Sequence, residues 1–399
     1  MRKYLTVFFC LVSATVFAQK AKSVIVLGAT PAGLAAAIQS AHSGVKTTLV
    51  DFNGIETVAL SAADKQYKIG VYADFLKRVD SLQKGKNLSS ENLVPSYTAT
   101  VFKGWMDTIK NLSVIKRAAP VKKIQRDGKT WEIEFTDNSE LKAGVLVDAS
   151  LKSDFARIAN VKAPEAKLSE GLYPDKTYRT SVAFFNSPGA YPGGLPVTKL
   201  FAENVANFVI VGESLNPNIL LGQAAGTAAA FCGFFEVENK DLDVRKTQGE
   251  LISFRSQFLR FDDVALSDSL AVSIMKVAIT GILKGKLKDN KFLFLQDSTV
   301  SSDEIRQPIR EYYSRSQIWF LDHKVEKLTL EDVLSLIKFT GNRGNELDKE
   351  VERGWKSSLK FDGKFDLKKT ITRRQFARLV DLYLRPFDRL IDLNGNLKS

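Results

Sequence analysis

Histidine, cysteine and methionine are scarce in this sequence of 399 residues, which holds two histidines, two cysteines and three methionines. No metal-ligand spacing of His, Cys, Asp or Glu appears, and no nucleophile elbow, so no metal centre is expected. His42 falls near the end of an expected helix, where it reads as a surface or capping residue, and His323 has no carboxylate-and-nucleophile company. Of the cysteines, Cys10 lies in a segment expected to be removed, which leaves Cys232 alone. One thiol excludes an intramolecular disulfide and a dithiol redox cycle, so stability has to come from core packing. Long apolar runs are also missing beyond the N-terminus, and no later stretch is expected to cross a membrane. Composition excludes collagen, coiled coil and wholesale disorder, and no internal repeat or low-complexity tract is expected.

The N-terminus itself reads as a signal peptide over residues 1–18. Arg2 and Lys3 form a positive start, Tyr4–Val16 an apolar stretch too short to span a bilayer well, and Val16 and Ala18 a small-residue cleavage site before Gln19. An uncleaved N-terminal anchor is the alternative. Phe8 and Phe9 before Cys10 lack the small residues that a lipoprotein cleavage site needs. The expected location is periplasmic or secreted, with no stable membrane insertion after cleavage. Net charge is +12, falling to +10 without Arg2 and Lys3. The basic residues are spread along the chain, and the group Lys368, Lys369, Arg373 and Arg374 has no interleaved aromatics to stack bases. A solvated basic surface is expected and no nucleic-acid partner; composition leaves the oligomeric state open.

Ser23–Leu27 is a short β-branched strand that stops at Gly28. Pro31 stands where a helix can begin, Ala32–Ser43 is alanine-rich and helical, and Gly44 is its expected stop. Val45–Asp51 is a second strand. Phe52–Lys116 reads as mostly helical, with helices at Tyr72–Leu82 and Tyr97–Lys110 around a polar loop at Lys84–Asn92. Val121–Arg126 and Lys129–Phe135 alternate around Asp127-Gly128, a hairpin signal. Leu141–Asp148 and Phe208–Val211 read as strands, Gly171–Pro196 as irregular, and Gly222–Phe235 as a second small-residue helix. Beyond about Leu251 the composition turns charged and helix-periodic. The expected divisions are 1–18, 19–255 and 256–399.

The first strand, turn, helix and second strand meet the physical needs of a dinucleotide site. Such a site wants a tight turn after a strand and a helix N-terminus whose free N–H groups face a pyrophosphate. Gly28 supplies the turn and Gly33 the close helix–strand approach. Asp51 stands at the tip of the second strand, where an acid can bond ribose hydroxyls. Thr30 replaces the middle glycine of GxGxxG and brings a hydroxyl instead.

The segment VLGATPAGLAAA is similar to the opening of the FAD-dependent oxidoreductase family of secreted bacterial proteins, in which Thr-Pro-Ala-Gly after the first glycine is common. A second block, Asn204–Phe231 (NVANFVIVGESLNPNILLGQAAGTAAAF), resembles that family's C-terminal flavin motif. The resemblance runs over roughly Ser23–Ile252, with VLVDASLKSDFA and VRKTQGELI also similar to family segments. It implies an α/β fold: a Rossmann-like domain binding FAD or NAD(P), with a mostly parallel central sheet, helices and a β-hairpin/meander layer. A mainly helical C-terminal domain follows, in which ITRRQFARLVDLY is similar to helical modules of some secreted members. It implies FAD as cofactor, bound by Gly28, Ala29, Thr30, Pro31, Ala32, Gly33, Asp51 and Phe52 at the ADP half. Gly212, Glu213, Gly222, Gln223, Ala224 and Ala225 would lie by the ribityl chain and ring. The implied activity is hydride transfer between an unidentified small molecule and flavin. The chain departs from the family in having one glycine, Gly54, in Phe52–Ala63 and Ser150-Leu151 where Thr-Gly is usual. A non-catalytic descendant of the fold, acting as a binding or accessory protein, is the alternative. Tyr173, Tyr178, Arg179 and Tyr191 are read as loop anchors, with a substrate-lining role as the other possibility; no catalytic residue is identified.

Overall fold

The structure is a computed structural model that describes residues 22–82, 93–164, 173, 175–185, 193–212, 215 and 217–398. The expected leader, the loop at Lys84–Asn92, Tyr191 and Glu213 lie outside the described residues. The chain forms two compact units, Met1–Leu168 with Pro196–Ser256, and Ser169–Leu195 with Gln257–Ser399.

The first unit opens with β1 (Ser23–Leu27), α1 (Pro31–His42) and β2 (Lys46–Asp51), followed by α2 (Ala62–Lys65), α3 (Gly70–Leu82) and α4 (Pro95–Met106). Next come β3 (Leu112–Lys116), the meander β4 (Val121–Asp127), β5 (Thr130–Phe135) and β6 (Glu140–Ala143), then β7 (Val145–Asp148) and α5 (Asp154–Ile158). Strands β8 (Ser181–Phe185) and β9 (Gly193–Pro196) pair with each other in the second unit, β9 ending at the boundary residue Pro196. The first unit resumes with β10 (Phe208–Ile210), α6 (Ile219–Phe235) and α7 (Val244–Ser253).

Five strands form one parallel sheet in the order β10–β7–β1–β2–β3. The chain steps outward from β1 through β2 to β3, then returns to the other side of β1 with β7 and β10. The order therefore reverses between β1 and β7, and the crevice of such a sheet opens at the carboxyl ends of those two strands. Strand alternation decides the layers. Ile25, Leu27, Val50, Leu146, Phe208 and Ile210 point to one face, where they form a single apolar cluster with Ile124, Trp131, Ile133 and Phe135 of the meander. The Trp131 and Phe208 rings meet edge-on at 5.0 Å, a favoured aromatic geometry. On the other face a Cβ on Gly233 of α6 would meet Val24 and Val145. Meander, parallel sheet and the α1/α6 pair thus make three layers.

Three differences from the sequence reading have physical reasons. β3 was not expected within the mostly helical stretch; it is an edge strand with no fully buried residue, so it carries no apolar run. Leu141–Asp148 is two strands, not one, because the chain passes from the meander into the parallel sheet at Gly144. Within Gly171–Pro196, read as irregular, β8 and β9 form around buried Val182, Ala183 and Leu195.

The second unit holds α8 (Ala271–Thr280), the hairpin β11 (Lys286–Lys288) and β12 (Lys291–Leu293), and helices α9 (Ser302–Tyr312), α10 (Ser316–Asp322), α11 (Leu330–Gly341), α12 (Glu346–Gly354) and α13 (Arg373–Tyr383). It contains an internal repeat that the sequence reading did not expect. Helices α9, α11 and α13 each start from a buried aliphatic residue (Val300, Leu328, Ile371) followed by a capping hydroxyl (Ser301, Thr329, Thr372). Each then places Glu304, Asp332 or Gln375 at the third helical position, and buries a further pair: Ile305 and Ile309, Val333 and Ile337, Phe376 and Val380. The three starts are stitched together through backbone: Leu328 N–H donates to Val300 O at 2.8 Å, Ile371 N–H to Leu328 O at 2.9 Å, and Arg373 N–H to Ser298 O at 2.8 Å. The same cap-and-core pattern, used three times, lets three helix N-termini satisfy one another's backbone groups.

Candidate functional site

The carboxyl end of β1 carries the first half of the crevice. Gly28 has a φ of +106°, and a Cβ there would lie 3.2 Å from Ala149 O. At Gly33 a Cβ would lie 2.0 Å from Gly28 O. Only glycine allows α1 to start so close to the strand it follows. Thr30 is the N-cap of α1: its Oγ1 accepts from Gly33 N–H at 3.1 Å and donates to Ala149 O at 2.9 Å. The hydroxyl at the middle-glycine position therefore ties the β1 turn to the end of β7. Pro31 has no N–H to satisfy. The N–H groups of Ala29, Thr30 and Ala32 have no partner among the described residues. Three unpaired donors at the positive end of a 12-residue helix suit an anion.

Asp51 ends β2 and is 4% exposed. Its Oδ1 accepts from Gly54 N–H at 2.8 Å and its Oδ2 from Ile55 N–H at 3.0 Å, so the carboxylate first serves to fold its own loop. Each oxygen keeps one lone pair for a further donor. Gly54, at φ +87°, supplies the turn that brings those amides round. Phe52 packs instead on the meander side, against the rings of Phe135 and Phe155. Beyond β7, buried Asp148 accepts from Ser150 N–H, Ser150 Oγ and Ala156 N–H, and burial pushes its pKa above the usual carboxylate range. Leu151, in the place where the family's glycine was expected, is 61% exposed.

The second half of the crevice lies past β10. Helix α6 was expected from Gly222 but begins one turn earlier, at Ile219, because Asn218 caps it by accepting Leu221 N–H at 3.0 Å. The first N–H of the helix, that of Ile219, donates at 2.8 Å to Asp64 Oδ1. Asp64 is 5% exposed, with Oδ2 accepting from Ser61 N–H and Ser61 Oγ, and its burial raises its pKa. Gln223, expected beside the ring, spends its side chain inside the protein. Its Oε1 accepts Val71 N–H at 3.1 Å and its Nε2 donates to Gln39 Oε1 at 2.9 Å. A Cβ on Gly222 would lie 2.0 Å from Ala32 O, and one on Gly226 2.3 Å from Ala36 O. These glycines, with fully buried Ala224 and Ala225, let α6 and α1 cross backbone to backbone. Gly212 faces Ser153, whose Oγ would stand 1.9 Å from an added Cβ.

Sequence reasoning missed Asp64 and Asn218, the residues that cap α6. The Ser61-x-x-Asp64 spacing of a capping box was a signal, but it marks only the four-residue helix α2. Each of the two histidines packs on aromatic rings of its own unit. His42 ends α1 beside the rings of Trp105 and Phe254, with its pKa lowered by burial. His323 stacks on Trp319 at 3.9 Å. In the second unit the Tyr173 hydroxyl accepts Gly285 N–H, its ring meets Tyr178 edge-on, and Arg179 pairs with Glu311 at 2.6 Å. No cluster of three His, Cys, Asp or Glu side chains suited to a metal occurs among the described residues, and among them no helix is long and apolar enough to cross a membrane.

Residues 23–186 match the FAD dependent oxidoreductase family, a stretch that holds the first half of the crevice and stops short of β10 and α6. The match supports an oxidoreductase-type Rossmann-like fold with FAD as its cofactor. No curated protein sequence matches the chain. Among solved structures the chain is similar to tetracycline destructase Tet(51), at 14% identity over 34% of this chain and 40% of that one, with a TM-score of 0.26. It is similar to p-nitrophenol 4-monooxygenase PnpA from Pseudomonas putida DLL-E4, at 16% identity over 34% and 42%, with a TM-score of 0.24. The Diels-Alderase PyrE3 is similar at 10% identity over 66% and 74%, with a TM-score of 0.32. The chain thus spans less than half the length of the first two of these proteins.

Proposed function

We propose that this chain is an exported FAD-dependent oxidoreductase-like protein that exchanges a hydride between a small molecule and flavin. The observation that carries the reading is the set of Ala29, Thr30 and Ala32 N–H groups above β1, without a partner among the described residues and inside the family-matched segment. These donors fit the pyrophosphate of FAD. Gly28 and Gly33 let backbone come close to it, and Asp51 offers its remaining lone pairs to the ribose. Thr30 holds the β1 turn against Ala149, so the donors are set before any ligand arrives. Bound FAD would supply the hydride chemistry, for which no side-chain nucleophile is needed. The positive start, apolar stretch and small-residue site within residues 1–18 support export.

A second reading, a binding protein descended from the same fold, has its own observation in its favour. The groups that would meet a flavin ring, the first N–H of α6 and the Gln223 amide, already bond to Asp64, Val71 and Gln39. One experiment separates the two. The mature protein is purified and its absorption spectrum recorded, then free FAD is titrated in. A flavin band near about 450 nm, with FAD released on denaturation, supports the oxidoreductase reading. A colourless protein that ignores added FAD removes it.

A further inference from the structure

A dinucleotide in a doubly wound sheet lies across the crevice where strand order reverses, one half on each side. Here the two sides are prepared differently. On the β1 side the N–H groups of Ala29, Thr30 and Ala32 have no partner among the described residues. On the β10 side the start of α6 is already occupied. Ile219 N–H goes to Asp64, Leu221 N–H to the Asn218 side chain and Gly222 N–H to Asn218 O.

We infer that Asp64 is a specificity-determining residue of this crevice: it fills the α6 N-terminus from within, so that the folded site selects the ADP half of its ligand. The inference rests on the reading of the first half as a nucleotide site. A helix N-terminus attracts negative charge, and in this chain the negative charge it has drawn is its own. The Asp64 carboxylate is held from both sides, by Ser61 N–H at 2.8 Å and Ser61 Oγ at 2.7 Å on Oδ2 and by Ile219 N–H at 2.8 Å on Oδ1. Lys65 is the cation that acts on it. Around it, Gln223 fixes the first turn of α3 by accepting Val71 N–H, and a Cβ on Gly70 would lie 2.0 Å from Gln223 Oε1. A flavin ring brought against α6 has to displace this carboxylate or sit beside it without the helix field. Among the described residues the ADP half meets no such competitor. FAD is then held by its ADP half, and its ring adds little binding.

The test is a calorimetric titration of the full mature protein, stripped of flavin, with FAD and with ADP. Dissociation constants for the two that agree within about threefold in the wild type support the inference. Asp64→Asn keeps an oxygen for Ile219 N–H but removes the charge, and should raise the preference for FAD over ADP about tenfold with ADP affinity unchanged. Asp64→Glu, which keeps the charge, should leave FAD without that gain. A residue that merely capped the helix would move stability and leave the FAD-to-ADP ratio alone. A wild-type preference for FAD above about thirtyfold, or a ratio that Asp64→Asn does not change, overturns the inference while the nucleotide-site reading stands. Binding of neither ligand overturns both. The wild-type ratio decides by itself if Asp64→Asn fails to fold.

Discussion

The same chemical change, glycine to alanine in a helix, should have opposite signs at Gly222 and Gly249. In an open helix position the change stabilises, because alanine loses less backbone entropy on folding; the gain is about 0.5–1 kcal/mol. Gly249 of α7 is such a position, with nothing within 4 Å of an added Cβ. At Gly222 the added Cβ would stand 2.0 Å from Ala32 O, and Cβ atoms essentially never come within 3.0 Å of such an atom. The helices must therefore part by at least the difference, 1.0 Å. The obstructing atom is backbone, so no side chain can swing away. Parting α1 from α6 also loosens Gly226, whose Cβ position is 2.3 Å from Ala36 O. Overpacking of this kind costs about 1–3 kcal/mol or more, which outweighs the entropy gain. Gly222→Ala should lower stability by about 2 kcal/mol, and the melting temperature by roughly 4–8 °C at 2–4 °C per kcal/mol. Gly249→Ala should raise it by roughly 1–4 °C. Thermal denaturation of the two variants beside the wild type is the assay. A Gly222→Ala protein as stable as the wild type would refute the backbone crossing, and with it the packing account of this glycine.

Three further outcomes follow from single hydrogen bonds. Thr30→Val keeps the shape but loses both the Gly33 cap and the Ala149 link; it should cost about 1–2 kcal/mol in denaturant unfolding and weaken ADP binding, while Thr30→Ser retains both. Thr372→Ala removes one of the three stitched caps of the second unit and should cost about 1 kcal/mol, read from the unfolding of the full chain. Burial holds Asp381 above the usual carboxylate range, so the folded chain keeps a proton there at a pH where the unfolded chain has lost it. That contribution is fully present below the unfolded value of about 3.9 and fades as pH rises through the higher folded value. As pH rises from about 4 through the higher folded value, wild type should lose stability relative to Asp381→Asn; parallel pH profiles would show that Asp381 does not titrate this way.

How much was legible in the sequence depended on how local each device is. Gly28, Gly33, Gly44 and Asp51 act within one strand–helix–strand unit, so their spacing alone specified it, and the parallel β1–β2 pair with α1 between them is what the structure holds. The hairpin was equally local, its strands meeting through Asp127 and Thr130 around Gly128. Asp64 was not legible, because its partner Ile219 is 155 positions away and nothing near either residue names the other. The start of α6 was misplaced for a related reason: Asn218 follows Pro217 and lies ahead of the small-residue run, which drew attention to Gly222. The repeat in the second unit escaped because its three caps, at Ser301, Thr329 and Thr372, are unequally spaced. Equal periods betray repeats in sequence; here only the backbone bonds among the caps make the pattern plain.

Gly222 and Gly226 show why small residues alone do not reveal a ligand. A run of Gly and Ala at the start of a helix suits a flat ring, and it suits equally a second helix pressed against it. In this chain α1 uses the space: Ala32 O and Ala36 O lie where Cβ atoms of α6 would be. The same contact has a consequence for the nucleotide side. Ala32 is one of the open donors above β1, and its carbonyl is the atom that abuts Gly222. Substituting Gly222 therefore presses directly on the first turn of α1. The glycine block serves the crevice by fixing where the N–H groups at the start of α1 point.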